Sequence, residues 1–347
     1  MSILNDEEIK QQTRQLRKVC LGETDDFLDI FFEEKYTPAC NLTQRFNARL
    51  TAACQLLPYR FTFFGSVLHA GFVTGLCTAP SHRRQGLAAR LLREAHRRLY
   101  KQGGAVSFLL PADEEQRHFF EEERHGAYWT ATFRHEVELD AGEESDDGIR
   151  VTEPDEWGRE LFVFFQKNTR DIPFMLHPAE GDFFAALRLC DATGGRVLVA
   201  RRGGHVCGIA LVAAESNGRL IVRDMLADGD AARNALLRAA QGGSPSARLT
   251  GQLWCPGSTK GAKPYAMARV TNVMRFLECV VRAYPGFQLH IGVDHDFDIP
   301  ENNGYYHVAD GRVALTDERP DNIVTPGGLA AMLLGAYPVM VRMMLDE

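Results

Sequence analysis

The stretch GLCTAPSHRRQGLAARLLREAH, residues 75–96, restricts the fold more than any other part of the chain. An apolar, strand-like run at 71–77 gives way to Ala-Pro and then to Arg83-Arg84-Gln85-Gly86. A helix follows, with Leu87, Leu91, Leu92, Ala95 and Leu99 recurring at helical spacing. Gly103 and Gly104 end it, and a second apolar run occupies 105–110. Strand, helix, strand in this order is a crossover unit, which places two parallel strands in one sheet beneath a helix. A further strand-like run lies at 60–64.

The turn into that helix carries chemistry of its own. A helix N-terminus presents unpaired backbone N–H groups and the positive end of the peptide dipoles, and a glycine there lets an anion approach the backbone. Arg83 and Arg84 add charge at the turn; Arg90, Arg93, Arg97, Arg98 and Lys101 continue it. Residues 90–101 alone would read as a solvated basic face. The turn between strand and helix is the context of an anion cradle. The 347-residue chain is net acidic, with formal charge -7, which argues against general nucleic-acid binding and gives the patch a small, local target.

The N-terminus, MSILNDEEIK, lacks the pattern of an export signal, and the longest low-charge run, GGLAAMLLGAYPVMV, is too short to span a bilayer. Eight cysteines without C-x-x-C or metal-type spacing fit a reducing cytoplasm and no metal site. The expectation is a cytoplasmic protein with no membrane partner. Two polar stretches, AGEESDDG (141–148) and QGGSPS (241–246), read as linkers between domains at 1–140, 149–243 and 247–347.

In the second part, RVLVARRGGHVCGIALVAA reads as a hairpin, RLIVRDMLA as a further strand and DAARNALLRAAQ as a helix, repeating the first part weakly. In the third, Val270, Val273, Met274, Leu277, Val280 and Val281 share one face of a helix expected over 267–284. QLHIGVDHD, YYHVAD and RVALTD read as a meander, and Thr325-Pro326 opens a last helix that Gly335 stops. The class is α+β with mixed α/β sheets.

The pattern R-x-x-G-x-A at 83–88, after VTGLCTAP, resembles the acetyl-CoA pyrophosphate loop of the GCN5-related N-acetyltransferase (GNAT) superfamily. SFLLPA and HFFEEERHGAYW are similar to the elements that follow it there. With YAMARVTNVMRFLECV, VDHDFDIPENNGYYHVADGRVAL and TPGGLAAMLLGAYP, the whole chain resembles the enhanced-intracellular-survival type of acetyltransferase. That resemblance implies two tandem GNAT-like mixed-sheet domains followed by a sterol-carrier-like α+β domain. It implies acetyl-CoA as co-substrate, with Leu76, Cys77 and Thr78 along the pantetheine arm and Arg83, Arg84, Gln85, Gly86, Leu87 and Ala88 around the diphosphate. Tyr128 would be the acid and the terminal carboxylate of Glu347 the base. The acceptor would be a primary amine of polyamine, aminoglycoside-like or lysine type, and the chain would form a homo-oligomer. The sequence departs from the pattern at Ala127, which separates Gly126 from Tyr128; at the Phe119-Phe120 pair, which leaves a second tyrosine position empty; and at its end, MMLDE, which lacks an aromatic residue.

In the second copy Asp228 and Asp230 stand at the helix entrance, where they would repel a diphosphate. One cofactor site per chain is expected, with the second domain structural. Asp26, Glu33 and Glu34, in the aromatic and acidic region that lines the acceptor side, are candidates to attract an amine. VDHDFD (293–298) reads as a solvated strand end rather than a metal site, Cys77 as a packing residue and His125 as a surface histidine. A rival reading is a carrier whose third domain holds an apolar ligand beside a vestigial first domain.

Overall fold

The computed structural model describes residues 4–123, 127–142, 148–215, 218–242 and 248–343. Most of both linker stretches, His125 and Glu347 lie outside the described residues.

The chain opens with two capped helices. In α1 (Asp6–Leu21) Asn5 and Glu8 form a capping box and Gly22, at φ 70, ends the helix; α2 (Asp25–Glu34) is capped by Thr24. Strands β1 (Asn41–Phe46), β2 (Arg49–Phe63) and β3 (Ser66–Thr78) follow as an antiparallel meander. Helix α3 (Leu87–Lys101) then crosses to β4 (Val106–Leu109), which pairs parallel to β3, as the crossover pattern requires. After α4 (Glu114–His118) come β5 (Trp129–Thr130) and β6 (Phe133–Glu138).

The middle of the chain runs through β7 (Ile149–Thr152), α5 (Arg159–Thr169), β8 (Met175–His177) and α6 (Glu180–Ala192). It continues with β9 (Arg196–Arg202), β10 (His205–Ala214), β11 (Leu220–Ala227) and α7 (Asp230–Gln241). Gly203 and Gly204, both at positive φ, make the expected two-residue turn between β9 and β10. The last part holds β12 (Leu249–Cys255), β13 (Lys263–Pro264), β14 (Met267–Val270), α8 (Val273–Ala283) and β15 (Leu289–Val293). It ends with β16 (Gly304–Ala309), β17 (Arg312–Thr316), β18 (Ile323–Val324), α9 (Pro326–Leu334) and β19 (Met340–Val341).

Both large sheets are built across the boundaries that the linkers suggest. Among the described residues the first has the order β19-β8-β2-β3-β4-β14-β5, with β1 also on β2; the second runs β13-β6-β12-β11-β10-β9-β7. Strands β8, β14 and β19 thus complete the sheet of the first part, while β6, β12 and β13 enter that of the second. The limits at 140 and 247 fall between strands of a shared sheet. The cause is edge satisfaction: β4 would present an open edge, and β14, buried along its whole length, covers it. Local periodicity does not reveal which distant strand covers an edge.

The same pairing interrupts the helix expected over 267–284. Residues 267–270 are the strand β14, and the helix begins only at Val273. Its N-cap is Asn272, whose side chain accepts from the Arg275 amide at 3.0 Å. Helix α8 packs on β16 and β17, and Phe276 stacks on Phe63 of β2 at 4.3 Å, joining the third part to the first sheet. Helix α9 follows its sequence signals: Thr325 Oγ1 accepts from the Gly328 amide at 3.1 Å, Pro326 is the first helical residue and Gly335 the C-cap. Among the described residues no helix is long and apolar enough to cross a membrane, and no group of three His, Cys, Asp or Glu is placed to hold a metal ion.

Phe276→Ala should cost about 3–5 kcal/mol in urea unfolding, because a fully buried ring is lost. A fragment ending at residue 140 should show no cooperative melt by circular dichroism, because it lacks β8, β14 and β19.

Candidate functional site

Strands β3 and β4 pair from Ala70 with Val106 to Val73 with Leu109, whereas β3 runs on to Thr78. Leu109 is the last residue of β4, so beyond Val73 the edge of β3 that faced β4 is unpaired with it. The register between β2 and β3 shifts between Ala53 and Gln55, inserting an extra residue on β3, and such a bulge bends the strand that carries it. Gly75, at φ 61, takes up the distortion; a side chain there would strike Gln55 Oε1 and lie 2.7 Å from Arg17 Nη1.

Arg17 was not signalled by any sequence pattern. Its guanidinium is fully buried behind the bulge, donating to Glu23 at 2.8 and 2.5 Å and to Gln55 Oε1 at 2.7 Å, and lying 4.0 Å from the centre of the Phe31 ring. Leu76 and Thr78 are half-buried on the stretch beyond Val73. Cys77 is buried against Leu16, Leu50 and Ala53, a packing residue as its context suggested. The Thr78 carbonyl accepts from Arg83 Nε at 3.3 Å and from Cys20 Sγ at 3.4 Å, which fixes the start of the basic turn to the end of the strand.

The turn itself is left-handed at Arg84 (φ 61) and Gly86 (φ 75), and Gly86 is the N-cap of α3. No side chain caps this helix, unlike α1, α2, α8 and α9. Arg83, Arg84, Gln85 and Gly86 are exposed, and Leu87 and Ala88 are half-buried. A Cβ placed on Gly86 would meet nothing within 4 Å. Uncapped amides opening onto free space, flanked by two arginines, fit a diphosphate.

The second copy repeats the frame with opposite charge. Strands β11 and β12 pair parallel only from Leu220 with Leu249 to Val222 with Gly251, and α7 follows an exposed Asp228-Gly229-Asp230. Just beyond the last paired residues, Arg342 Nε donates to Asp224 Oδ1 at 2.9 Å and its Nη2 to the Met225 carbonyl at 2.7 Å. The C-terminal segment is therefore bound where the second pair of strands ends its pairing.

Tyr128 is fully buried on the α3 side of the first sheet, among Leu91, Leu92 and Phe120. Its hydroxyl lies 2.8 Å from His96 Nε2 and 2.8 Å from Ser107 Oγ. His96 Nδ1 is 2.7 Å from Asp298 Oδ2, so the carboxylate assigns the ring proton to Nδ1 and leaves Nε2 to accept from Tyr128. Arg269 of β14 reaches the same cluster, donating to Asp296 Oδ2 at 2.7 Å and lying 3.4 Å from Asp298 Oδ2. Asp296 and Asp298 are thus buried, which corrects their reading as a solvated strand end. The strand stops at Val293; Asp294 and His295 stay exposed, and the chain then turns inward to meet Arg269. Burial, with Arg269 adding repulsion, pushes the His96 imidazole down to about 4, and burial pushes the Tyr128 phenol up.

On the other side, Glu33 and Glu34 serve as a clasp. Arg188 of α6 holds them at 2.7 and 2.5 Å, while Asp26 remains exposed. Beneath them Lys35 Nζ meets Asp182 Oδ1 at 2.6 Å, both buried.

Residues 2–119 match the model of the acetyltransferase (GNAT) domain. No curated protein matches the chain. Among solved structures, Eis1 from Mycobacterium abscessus is 14% identical, covers 96% of this chain and 88% of its own, and has a TM-score of 0.75. A conserved protein of unknown function from Enterococcus faecalis, described as a probable N-acyltransferase, gives 17%, 96%, 88% and 0.73. A GCN5-related N-acetyltransferase from Anabaena variabilis gives 16%, 97%, 96% and 0.71. At these identities the likeness is one of fold, and it extends over nearly the whole chain. The N-terminal third is a GNAT acetyltransferase domain, which places the chain among acyl-transferring enzymes.

The buried network predicts an acid-sensitive fold. In the unfolded chain His96 takes up a proton near pH 6.5; in the folded state it does so only near pH 4, so stability falls as pH drops between those values. The loss is about 3 kcal/mol over the interval. Urea midpoints measured from pH 7 to pH 4 should show this slope, and His96→Gln should flatten it.

Proposed function

We propose that this protein is an acetyl-CoA-dependent N-acetyltransferase acting on a primary amine, with one cofactor site per chain. The observation that carries the reading is the conjunction of two features at one strand end: the run of β3 from Thr74 to Thr78 past its last pair with β4, and the uncapped, left-handed arginine turn into α3. The match of residues 2–119 to the GNAT domain and the shared fold with N-acetyltransferases support it.

Bound acetyl-CoA supplies an activated acetyl thioester. Arg83, Arg84 and the amides of Gln85, Gly86, Leu87 and Ala88 hold its diphosphate. Leu76, Cys77 and Thr78 guide the pantetheine arm, and a backbone N–H of this stretch of β3 meets the developing oxyanion. Holding both substrates in one place supplies much of the acceleration, so no covalent enzyme intermediate is needed.

Tyr128, its hydroxyl enclosed between His96 and Ser107, is the acid that this reading assigns to the leaving thiolate. Its hydroxyl is bonded to Ser107, two residues before Leu109, where the pairing of β4 with β3 ends, and burial keeps it protonated. His96 and Asp298 hold the phenol from behind as positioning residues.

The acceptor must lose a proton before it can attack, and the terminal carboxylate of Glu347 is the base of this reading. Strand β19 runs in the direction of β3, with Val341 level with Leu68, and the role of the carboxylate rests on the family resemblance. Polyamines, aminoglycoside-like compounds and lysine side chains are the acceptor classes to screen.

Arg84→Glu should raise the KM for acetyl-CoA at least tenfold in a thiol-release assay with such acceptors, while Asp228→Ala in the second copy leaves it unchanged. Tyr128→Phe should lower kcat roughly 100-fold with little change in KM. Residues added after Glu347 should depress turnover and spare cofactor binding in calorimetry; unaltered turnover would remove the carboxylate from the mechanism.

A further inference from the structure

A cavity of about 840 Å³ lies at the hairpin end of β2 and β3, where α5 and β8 of the middle part close over the first sheet. It is remote from the arginine turn: Thr78 lies nine positions along β3 from His69 in the cavity, about 30 Å of strand. Neither the GNAT match nor the proposed mechanism gives it a role.

One wall is apolar, made by Phe162, Val163 and Phe165 of α5. Val163 is 56% exposed and Val67, on the opposite side, 54%, so this wall is open to a ligand rather than sealed by side chains. The other wall is polar and carries the charge of Arg60. Arg60 of β2 pairs directly with His69 on β3 and with His177 on β8, so the three project from one face as a row. Lys167 lies across from them on α5.

The charges are not balanced inside the cavity. Among the described residues neither the Arg60 nor the Lys167 side chain has a hydrogen bond or ion pair. Glu180, the carboxylate among the lining residues, is held by Arg159 at 3.0 Å, and Arg170 at the rim is bonded to Asp171 at 3.1 Å. Two cations beside exposed Val163 and Val67 select for an amphipathic anion: a planar carboxylate accepts two N–H groups from one guanidinium, and an aryl or alkyl body covers the valines. The volume suits a small molecule.

We infer that this cavity is a second ligand site, which binds a hydrophobic monocarboxylate with its head on Arg60 and Lys167 and its body against α5. The site joins the middle part of the chain to the first sheet, so its occupancy also stabilises that junction. The inference does not depend on the acetyl-transfer reading.

Titration calorimetry of the full chain with 4-phenylbutyrate, 4-phenylbutanol and 4-phenylbutylamine tests it. The carboxylate should bind one site per chain, at least tenfold more tightly than the alcohol or the amine, and should raise the melting temperature. Arg60→Gln and Lys167→Gln, both exposed changes, should each weaken it at least fivefold; Val163→Asp should abolish it, and none should alter thiol release from acetyl-CoA. Equal binding of acid and alcohol, or carboxylate binding indifferent to both charge substitutions, would overturn the inference. So would a wild-type dimer that excludes the probe and is dissociated by Val163→Asp in sedimentation, because the cavity would then be an interface between two copies.

Discussion

The guanidinium of Arg269, buried on β14 in the first sheet, is the interaction on which the arrangement of the molecule most depends. A charge without water must find carboxylates, and Asp296 and Asp298 supply them from the segment after β15. Replacing such a group by an apolar one of similar shape is often neutral for stability, whereas removing one partner is costly. Its consequence here is placement. Pairing with Arg269 brings residues 296–298 against α3, Asp298 then orients His96, and His96 with Ser107 fixes the Tyr128 hydroxyl. One charge thereby ties together elements far apart in the chain.

The two copies of the strand–helix–strand frame differ in the charge at their helix entrances, and the proposed function assigns cofactor binding to the first. In the first, a bulge at Gly75 interrupts the register of β3 with β2 beyond its last pair with β4, and the helix entrance carries Arg83 and Arg84 over uncapped amides. In the second, the entrance carries Asp228 and Asp230, and Arg342 lies where the strands cease to pair. Backbone geometry alone would allow an anion at either helix. Charge decides between them.

Residues 75–96 are legible in the sequence because every link is local: the apolar spacing of α3, the glycine at its entrance and the glycines that end it. Thr325, Pro326 and Gly335, and the glycine pair between β9 and β10, are legible for the same reason. The covering of sheet edges is not. Residues 267–270 carry the spacing of a helix but become β14, because the open edge of β4 takes their backbone hydrogen bonds. Asp296 and Asp298 look like a solvated end until Arg269, 27 residues before Asp296, is placed beside them. Arg17 and the cavity around Arg60 arise from contacts between segments, which no window of sequence contains.

In the proposed function the cofactor's diphosphate rests on the amides that open α3 and nowhere else in the chain. Amide hydrogen exchange, followed with and without acetyl-CoA, tests it most directly. Protection confined to peptides spanning β3 beyond Val73 and the first turns of α3 is the expected result. Protection at the start of α7, or no change anywhere at saturating cofactor, would contradict the account.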